Sequence, residues 1–235
     1  MRRRLLVLGA VLALVAGGLG LGYVGLDRGW WHLQQPSTER FPVRGIDVSR
    51  HQGDVDWPQV ARSGVHFAYL KATEGGDWTD PRFAENWQEA RDAGLRVGAY
   101  HFFTFCRPPL EQARHFLDVL PRDQGALPPV VDVEYGGNCA GAPPRETVRA
   151  NLKAWLDAVE QASGRRPIIY VTPDAQEAFV EGAGLNHPLW IRSLYGEPDV
   201  AWTFWQFDAR GTVPGISAPV DLNVFHGDRA AFESL

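Results

Sequence analysis

Apolar positions along this chain fall into runs of different kinds. The first, residues 5–26, has no charged side chain and follows Arg2, Arg3 and Arg4. At about 1.5 Å per residue such a run is long enough, as a helix, to cross a hydrocarbon core of about 30 Å. From residue 44 onward the runs are short and bounded by Gly, Pro or charged residues. They predict strands at residues 45–48, 66–71, 96–103, 128–134, 167–170, 188–191, 203–207 and 220–224. Between them, longer stretches of mixed character predict helices at residues 57–63, 81–93, 109–120, 145–163 and 174–179. Eight strands with about five helices, the helices early and missing late, predict a parallel α/β barrel whose last third is irregular. An open doubly wound sheet is the alternative, although no G-x-G-x-x-G follows the first strand to support dinucleotide binding.

The fourth run ends in Asp132-Val133-Glu134. Side chains on a strand alternate faces, so Asp132 and Glu134 point the same way and Val133 the other. Two acids leaving a buried strand together are costly unless they are paired, hydrogen-bonded or used for chemistry. The plainer reading is a strand-end Asp capping a turn beside an unrelated Glu. Other strand ends weigh against it. Asp47 closes the first strand, Glu74 follows the second, and Asp221 lies in the last. In a closed barrel the first and last strands are neighbours, so Asp47 and Asp221 are expected side by side at the seam, where hydrogen bonding to loop amides is the structural alternative. Barrel chemistry collects at this end of the strands. Tyr100, Tyr170, Trp190, Tyr195, Trp202 and Trp205 are expected to frame the same rim. A cleft of acids and aromatic faces suits a sugar polymer better than a phosphorylated or apolar ligand. His101 is expected to face away from Tyr100, into the helix layer.

Composition narrows the choices further. With 235 residues and 45% hydrophobic content, the chain can bury one sizeable domain or two small ones. Setting aside residues 1–30 removes four arginines and Asp27 from 23 basic and 28 acidic residues, which leaves 19 and 27, net −8. That balance argues against a nucleic-acid partner. The apolar run is expected to be an uncleaved signal anchor. The three arginines would hold its start in the cytoplasm, Trp30 and Trp31 would mark the outer interface, and the domain would face outward into the periplasm from the inner membrane. Gly17, Gly18, Gly20 and Gly22 keep a cleaved signal peptide, and secretion, as the alternative. Residues 27–43 then form a spacer, and residues 44–235 the barrel domain. Cys106 and Cys139 follow strands that end on the same side of the sheet. In an exported domain they can form one disulfide, with two free thiols as the alternative. Two cysteines cannot build a zinc site, and no H-E-x-x-H or His/Cys cluster adds ligands, so no metal or organic cofactor is indicated. Oligomeric state is left open.

Seven segments, in order, resemble the glycoside hydrolase family 25 lysozymes, the Chalaropsis-type muramidases. They are Gly45-Ile-Asp-Val-Ser-Arg-His-Gln-Gly53, Phe67-Ala-Tyr-Leu-Lys-Ala-Thr-Glu-Gly75, Gly98-Ala-Tyr-His-Phe102, Val131-Asp-Val-Glu134, Trp190-Ile191, Trp205-Gln206 and Val220-Asp-Leu-Asn223. The resemblance spans roughly residues 44–228. It implies an irregular barrel of eight strands and five helices. It also implies hydrolysis of the β-1,4 bond between N-acetylmuramic acid and N-acetylglucosamine in peptidoglycan glycan strands. By that resemblance Glu134 is the acid that protonates the leaving oxygen, Asp47, Asp132 and Asp221 are the other site carboxylates, and Lys71, Glu74, Tyr100, Tyr170, Trp190 and Gln206 contact substrate. Lys71 has a second reading, as charge partner to one of the acids.

Glycoside cleavage needs a protonated acid at the glycosidic oxygen and negative charge near the oxocarbenium ion. Like charges from Asp132 and Asp221 are expected to raise the Glu134 pKa, leaving Asp132 ionised. Strand spacing alone does not choose between an inverting pair, a retaining pair, and a route in which the substrate's 2-acetamido group attacks while Asp132 orients it. The last is favoured here. Two rivals remain: another N-acetylhexosaminidase or chitinase-like activity, and a non-catalytic wall-binding module.

Overall fold

Each of the eight apolar runs forms a strand, and the alternation of faces along them builds the architecture. The structure is a computed structural model describing residues 17, 18, 20 and 35–235, residue 142 excepted. Apart from Gly17, Gly18 and Gly20, the predicted anchor at residues 5–26 lies outside the described residues. No helix among the described residues is long and apolar enough to cross a membrane.

The strands are β1 (Arg44–Val48), β2 (Phe67–Glu74), β3 (Trp78–Thr79), β4 (Arg96–Phe102), β5 (Val130–Val133), β6 (Ile168–Val171), β7 (Leu189–Arg192), β8 (Phe204–Gly211) and β9 (Val220–Phe225). β1 pairs with both β2 and β9, which closes an eight-stranded barrel, and the short β3 hangs antiparallel on β2. Apart from β3, neighbours from β1 through β8 run parallel. The parallel prediction fails at β9, which runs antiparallel to both β8 and β1. Its connection, residues 212–219, holds Pro214, Gly215 and Pro219 and no helix. A parallel crossover needs a dozen or more residues, so this chain can only turn back.

The helices are α1 (Trp57–Arg62), α2 (Phe83–Asp92), α3 (Pro109–Val119), α4 (Arg145–Ser163), α5 (Pro173–Ala175), which runs on into a π turn at Gln176–Val180, and α6 (Arg229–Glu233), which was not foreseen. In α4, Val148, Leu152, Trp155, Leu156 and Val159 form one buried stripe. The helix ends at Gly164, whose φ of 70° is the left-handed conformation that favours glycine.

Apolar side chains pack in two layers. One fills the barrel with Phe67, Tyr69, Val130, Ile168, Trp190, Phe204 and Phe225. The other lies between strands and helices and includes Ile46, Leu70, Val131, Trp155 and Phe179. A fully buried side chain of this size contributes about 1.5–3 kcal/mol. Gly45 and Gly98 make room for the inner layer, because a Cβ on either would collide with the ring of Phe67 or Tyr69 respectively. Trp202 and Trp205 belong to the outer layer, packed on each other and on Phe41, so neither frames the rim as expected. Trp205 directly precedes Gln206, and alternation sends adjacent residues to opposite faces. Cys106 and Cys139 form a disulfide, Cα to Cα 6.3 Å, joining the loops after β4 and β5.

Candidate active site

Strand alternation delivers one polar layer above the aromatic filling of the barrel. Asp47, Tyr100, Asp132, Glu134, Tyr170, Trp190, Arg192, Gln206 and Asp221 line a cleft of about 150 Å³, with Val130 at its floor. The parallel strands bring their carboxyl ends to this mouth. β9, running the other way, brings its beginning, which is why Asp221 arrives there from the second residue of its strand. Pairing places Asp47 directly opposite Asp221. The loop after β1 locks this seam: Ser49 and Gln52 form a reciprocal cap, and Gln52 Nε2 donates to Pro219 O at 3.0 Å.

Asp47 is held by a chain of directed hydrogen bonds. Asn223 Nδ2 donates to Asp47 Oδ2 at 2.8 Å and Gln206 Nε2 donates to the same oxygen at 3.1 Å. Each of these amides is fixed in turn. Trp190 Nε1 donates to Asn223 Oδ1 at 2.8 Å, and the Tyr170 hydroxyl donates to Gln206 Oε1 at 2.9 Å. Burial raises the Asp47 pKa, while the Asn223, Gln206 and Asp221 hydrogen bonds pull it back. Asp221 lies well above the usual carboxylate range, first from burial and then from the charge of Asp47. The two carboxyls hydrogen-bond each other. Burial thus presses upward on both carboxyls, and the amide donors of Asn223 and Gln206 favour charge on Asp47.

Asp132 and Glu134 differ in setting. Asp132 is buried, and its Oδ1 has no hydrogen-bond partner among the described residues. Its pKa stands well above the carboxylate range, first from burial and then from the Glu134 charge, against the pull of Lys71. Glu134 is also raised by burial, but Arg192 pulls it down. The guanidinium stands 3.8 Å from Glu134 Oε2. Burial therefore presses upward on both acids of the pair, where the sequence expectation had the rise on Glu134 alone. Arg192 opposes the rise on both acids, second only to burial at Glu134 and more weakly at Asp132.

The remaining predicted residues divide. Tyr100, Tyr170, Trp190 and Gln206 line the cleft. Trp190 is almost fully buried and acts on the site through Asn223. Lys71 and Glu74 do not line the cleft; they pair with each other at 2.7 Å, and the Lys71 ammonium also lies over the rings of Phe102 and Trp78. Tyr195 is exposed. His101 points into the helix layer, bonded to Thr73 and Gln112 and stacked on Trp155, and burial lowers its pKa to about 3. Arg192 and Asn223 were missed as site residues, although each sits two positions along its strand from a predicted one, Trp190 and Asp221.

A closed barrel with paired carboxylates at its mouth, backed by aromatic and amide side chains, defines a glycosidase of the α/β-barrel class. Residues 46–216 match the model of glycosyl hydrolases family 25, and the chain belongs to that family. Asp221 and Asn223 lie just beyond the matched segment. The chain is similar to uncharacterized protein YegX of Escherichia coli strain K12, 40% identical over 196 residues, covering 80% of this chain and 71% of that one. It is also similar to lysozyme M1 of Streptomyces globisporus, 33% identical over 213 residues, covering 82% of this chain and 71% of that one. Among solved structures it resembles a family 25 glycosyl hydrolase from Bacillus anthracis, with a TM-score of 0.80, 36% identity, and coverage of 87% of this chain and 97% of that one.

Proposed function

We propose that this chain is a lysozyme hydrolysing the β-1,4 bond between N-acetylmuramic acid and N-acetylglucosamine in peptidoglycan, with Glu134 as acid and Asp132 as assistant. The lysozyme relative and family membership support the substrate. One observation carries the division of labour: the orphaned Oδ1 of Asp132 beside Glu134 in the cleft. An acetamide N–H of the substrate supplies the missing donor. Its hydrogen bond favours ionised Asp132, so the proton shared by this close pair settles on Glu134.

The acetamide oxygen, turned toward the anomeric carbon, then forms the C–O bond of an oxazolinium ring. The glycosidic bond breaks, and Glu134 delivers its proton to the leaving oxygen. Glu134, now a base, takes a proton from water, which opens the ring from the face the leaving group occupied. Two displacements retain the β configuration. Proton NMR of the first-formed anomer tests this route. The β-anomer is expected, and initial release of the α-anomer would sink it.

The substrate assignment is tested separately by the reducing ends released from purified peptidoglycan. Muramic ends are expected, and N-acetylglucosamine ends would refute the assignment in favour of a glucosaminidase. Action on the wall places the domain outside the cytoplasm, and residues 5–26 would tether it to the inner membrane. N-terminal sequencing of the membrane fraction is expected to find the chain intact. A mature start after residue 17 would show a cleaved signal peptide instead.

A further inference from the structure

The cleft is lined by four carboxyls, yet the sugar assigned to it is itself an acid. N-acetylmuramic acid differs from N-acetylglucosamine by a lactyl ether on O3 that ends in a carboxyl group. Carboxylates alone would repel the very group that distinguishes it. Arg192 is the one cation among the cleft-lining residues. It leaves β7 on the same face as Trp190 and pairs in register with Gln206. Its side chain keeps 36% exposure, and its 3.8 Å approach to Glu134 is a loose ion pair, too long for a hydrogen bond. Neighbouring cations are already engaged: Lys71 with Glu74, and Arg50 over the ring of Trp78.

We propose that Arg192 is a specificity-determining residue that receives the lactyl carboxylate of the muramic sugar at the scissile bond. The inference rests on the muramidase reading above and adds the group that recognises the sugar. A guanidinium presents parallel N–H donors in a plane that matches both oxygens of a carboxylate. The loose, partly solvated contact with Glu134 is given up at little cost. Wherever a stem peptide is attached, the lactyl carboxyl is an amide and carries no charge. A preference for the free acid therefore places this enzyme after an amide hydrolysis that strips peptides from the glycan.

The test compares three soluble glycans of equal length, cut by the full-length protein in detergent. They are peptide-free peptidoglycan strands, the same strands with lactyl carboxyls converted to methylamides, and chitooligosaccharides. Wild type is expected to favour the acid over the methylamide by roughly ten- to hundredfold in kcat/KM, the range of a charge-assisted pair. Arg192→Gln is expected to bring that ratio close to one, and Arg192→Lys to keep part of it through charge without the planar fork. The ratio does not depend on how much enzyme is folded. A wild-type ratio near one, or an Arg192→Gln ratio equal to wild type, overturns the proposal. Cleavage of chitooligosaccharides with neither muramic strand cut would overturn the muramidase reading first, and this proposal with it.

Discussion

Replacing Asp132 with Asn is expected to stabilise the fold while disabling the site. Asp132 is buried, one of its oxygens has no hydrogen-bond partner among the described residues, and Glu134 and Asp47 add like charge. Leaving a buried polar atom unsatisfied costs about 1–3 kcal/mol, and more for a charged group. Asn has nearly the same volume, carries no charge, and offers an N–H₂ donor to the neighbouring carboxylates. A gain of about 1–3 kcal/mol corresponds to roughly 2–10 °C in Tm for a chain of this size.

The pH dependence has a fixed sign. A carboxyl whose folded pKa is raised binds its proton more readily when folded. Its contribution is fully present below the unfolded value of about 3.9 and is lost as pH rises through the raised folded value. Wild type thus loses stability toward neutral pH, and the Asn variant lacks the Asp132 share of that loss while keeping those of Asp47, Glu134 and Asp221. Differential scanning fluorimetry from pH 4 to pH 8 is expected to show the Tm gain growing with pH and shrinking toward pH 4. Turbidity clearing of peptidoglycan is expected to fall by about 10²–10³-fold, the scale for losing one group that stabilises developing charge. A variant less stable than wild type at pH 8, or a gain independent of pH, would refute the account of Asp132 as a strained, orphaned carboxyl.

Two further perturbations test the supports of the site. Asn223→Ala removes a donor to Asp47 and leaves Trp190 Nε1 buried without its acceptor, so thermal denaturation is expected to show a loss of about 1–3 kcal/mol and activity to fall with it. Unchanged stability and rate would mean that this chain of bonds does not hold Asp47. Replacing Cys106 and Cys139 together by Ala opens a cross-link between residues 33 apart in sequence, for which chain entropy predicts a loss of roughly 3–4 kcal/mol in urea denaturation. A loss below about 1 kcal/mol would contradict that estimate.

The strands were legible because their faces are chemically unequal, and a period of two is written directly in runs such as Val130-Val-Asp-Val-Glu134. Strand direction is not written that way. It follows from the connection before β9, which is too short and too rich in Pro and Gly for a crossover. The misplacement of Trp202 and Trp205 has a similar origin, since composition suggested the rim whereas alternation against Gln206 sends Trp205 outward. Of the polar layer, the carboxylates were visible as strand-end acids. Arg192 was not, because a lone arginine at a strand end usually reads as a solvated surface charge. Which of two close carboxyls carries the proton depends on burial and on that arginine, and neither is encoded in the spacing of Asp132 and Glu134.

The central claim, that Glu134 is the proton donor of a muramidase, is tested most directly by digesting purified peptidoglycan with wild type and Glu134→Gln and analysing the products. Wild type is expected to release muramic reducing ends. The Gln variant, matched in Tm, is expected to be slower by about 10²–10⁴-fold, the contribution of a positioned general acid. Cleavage by Glu134→Gln within a few-fold of wild type would contradict the claim.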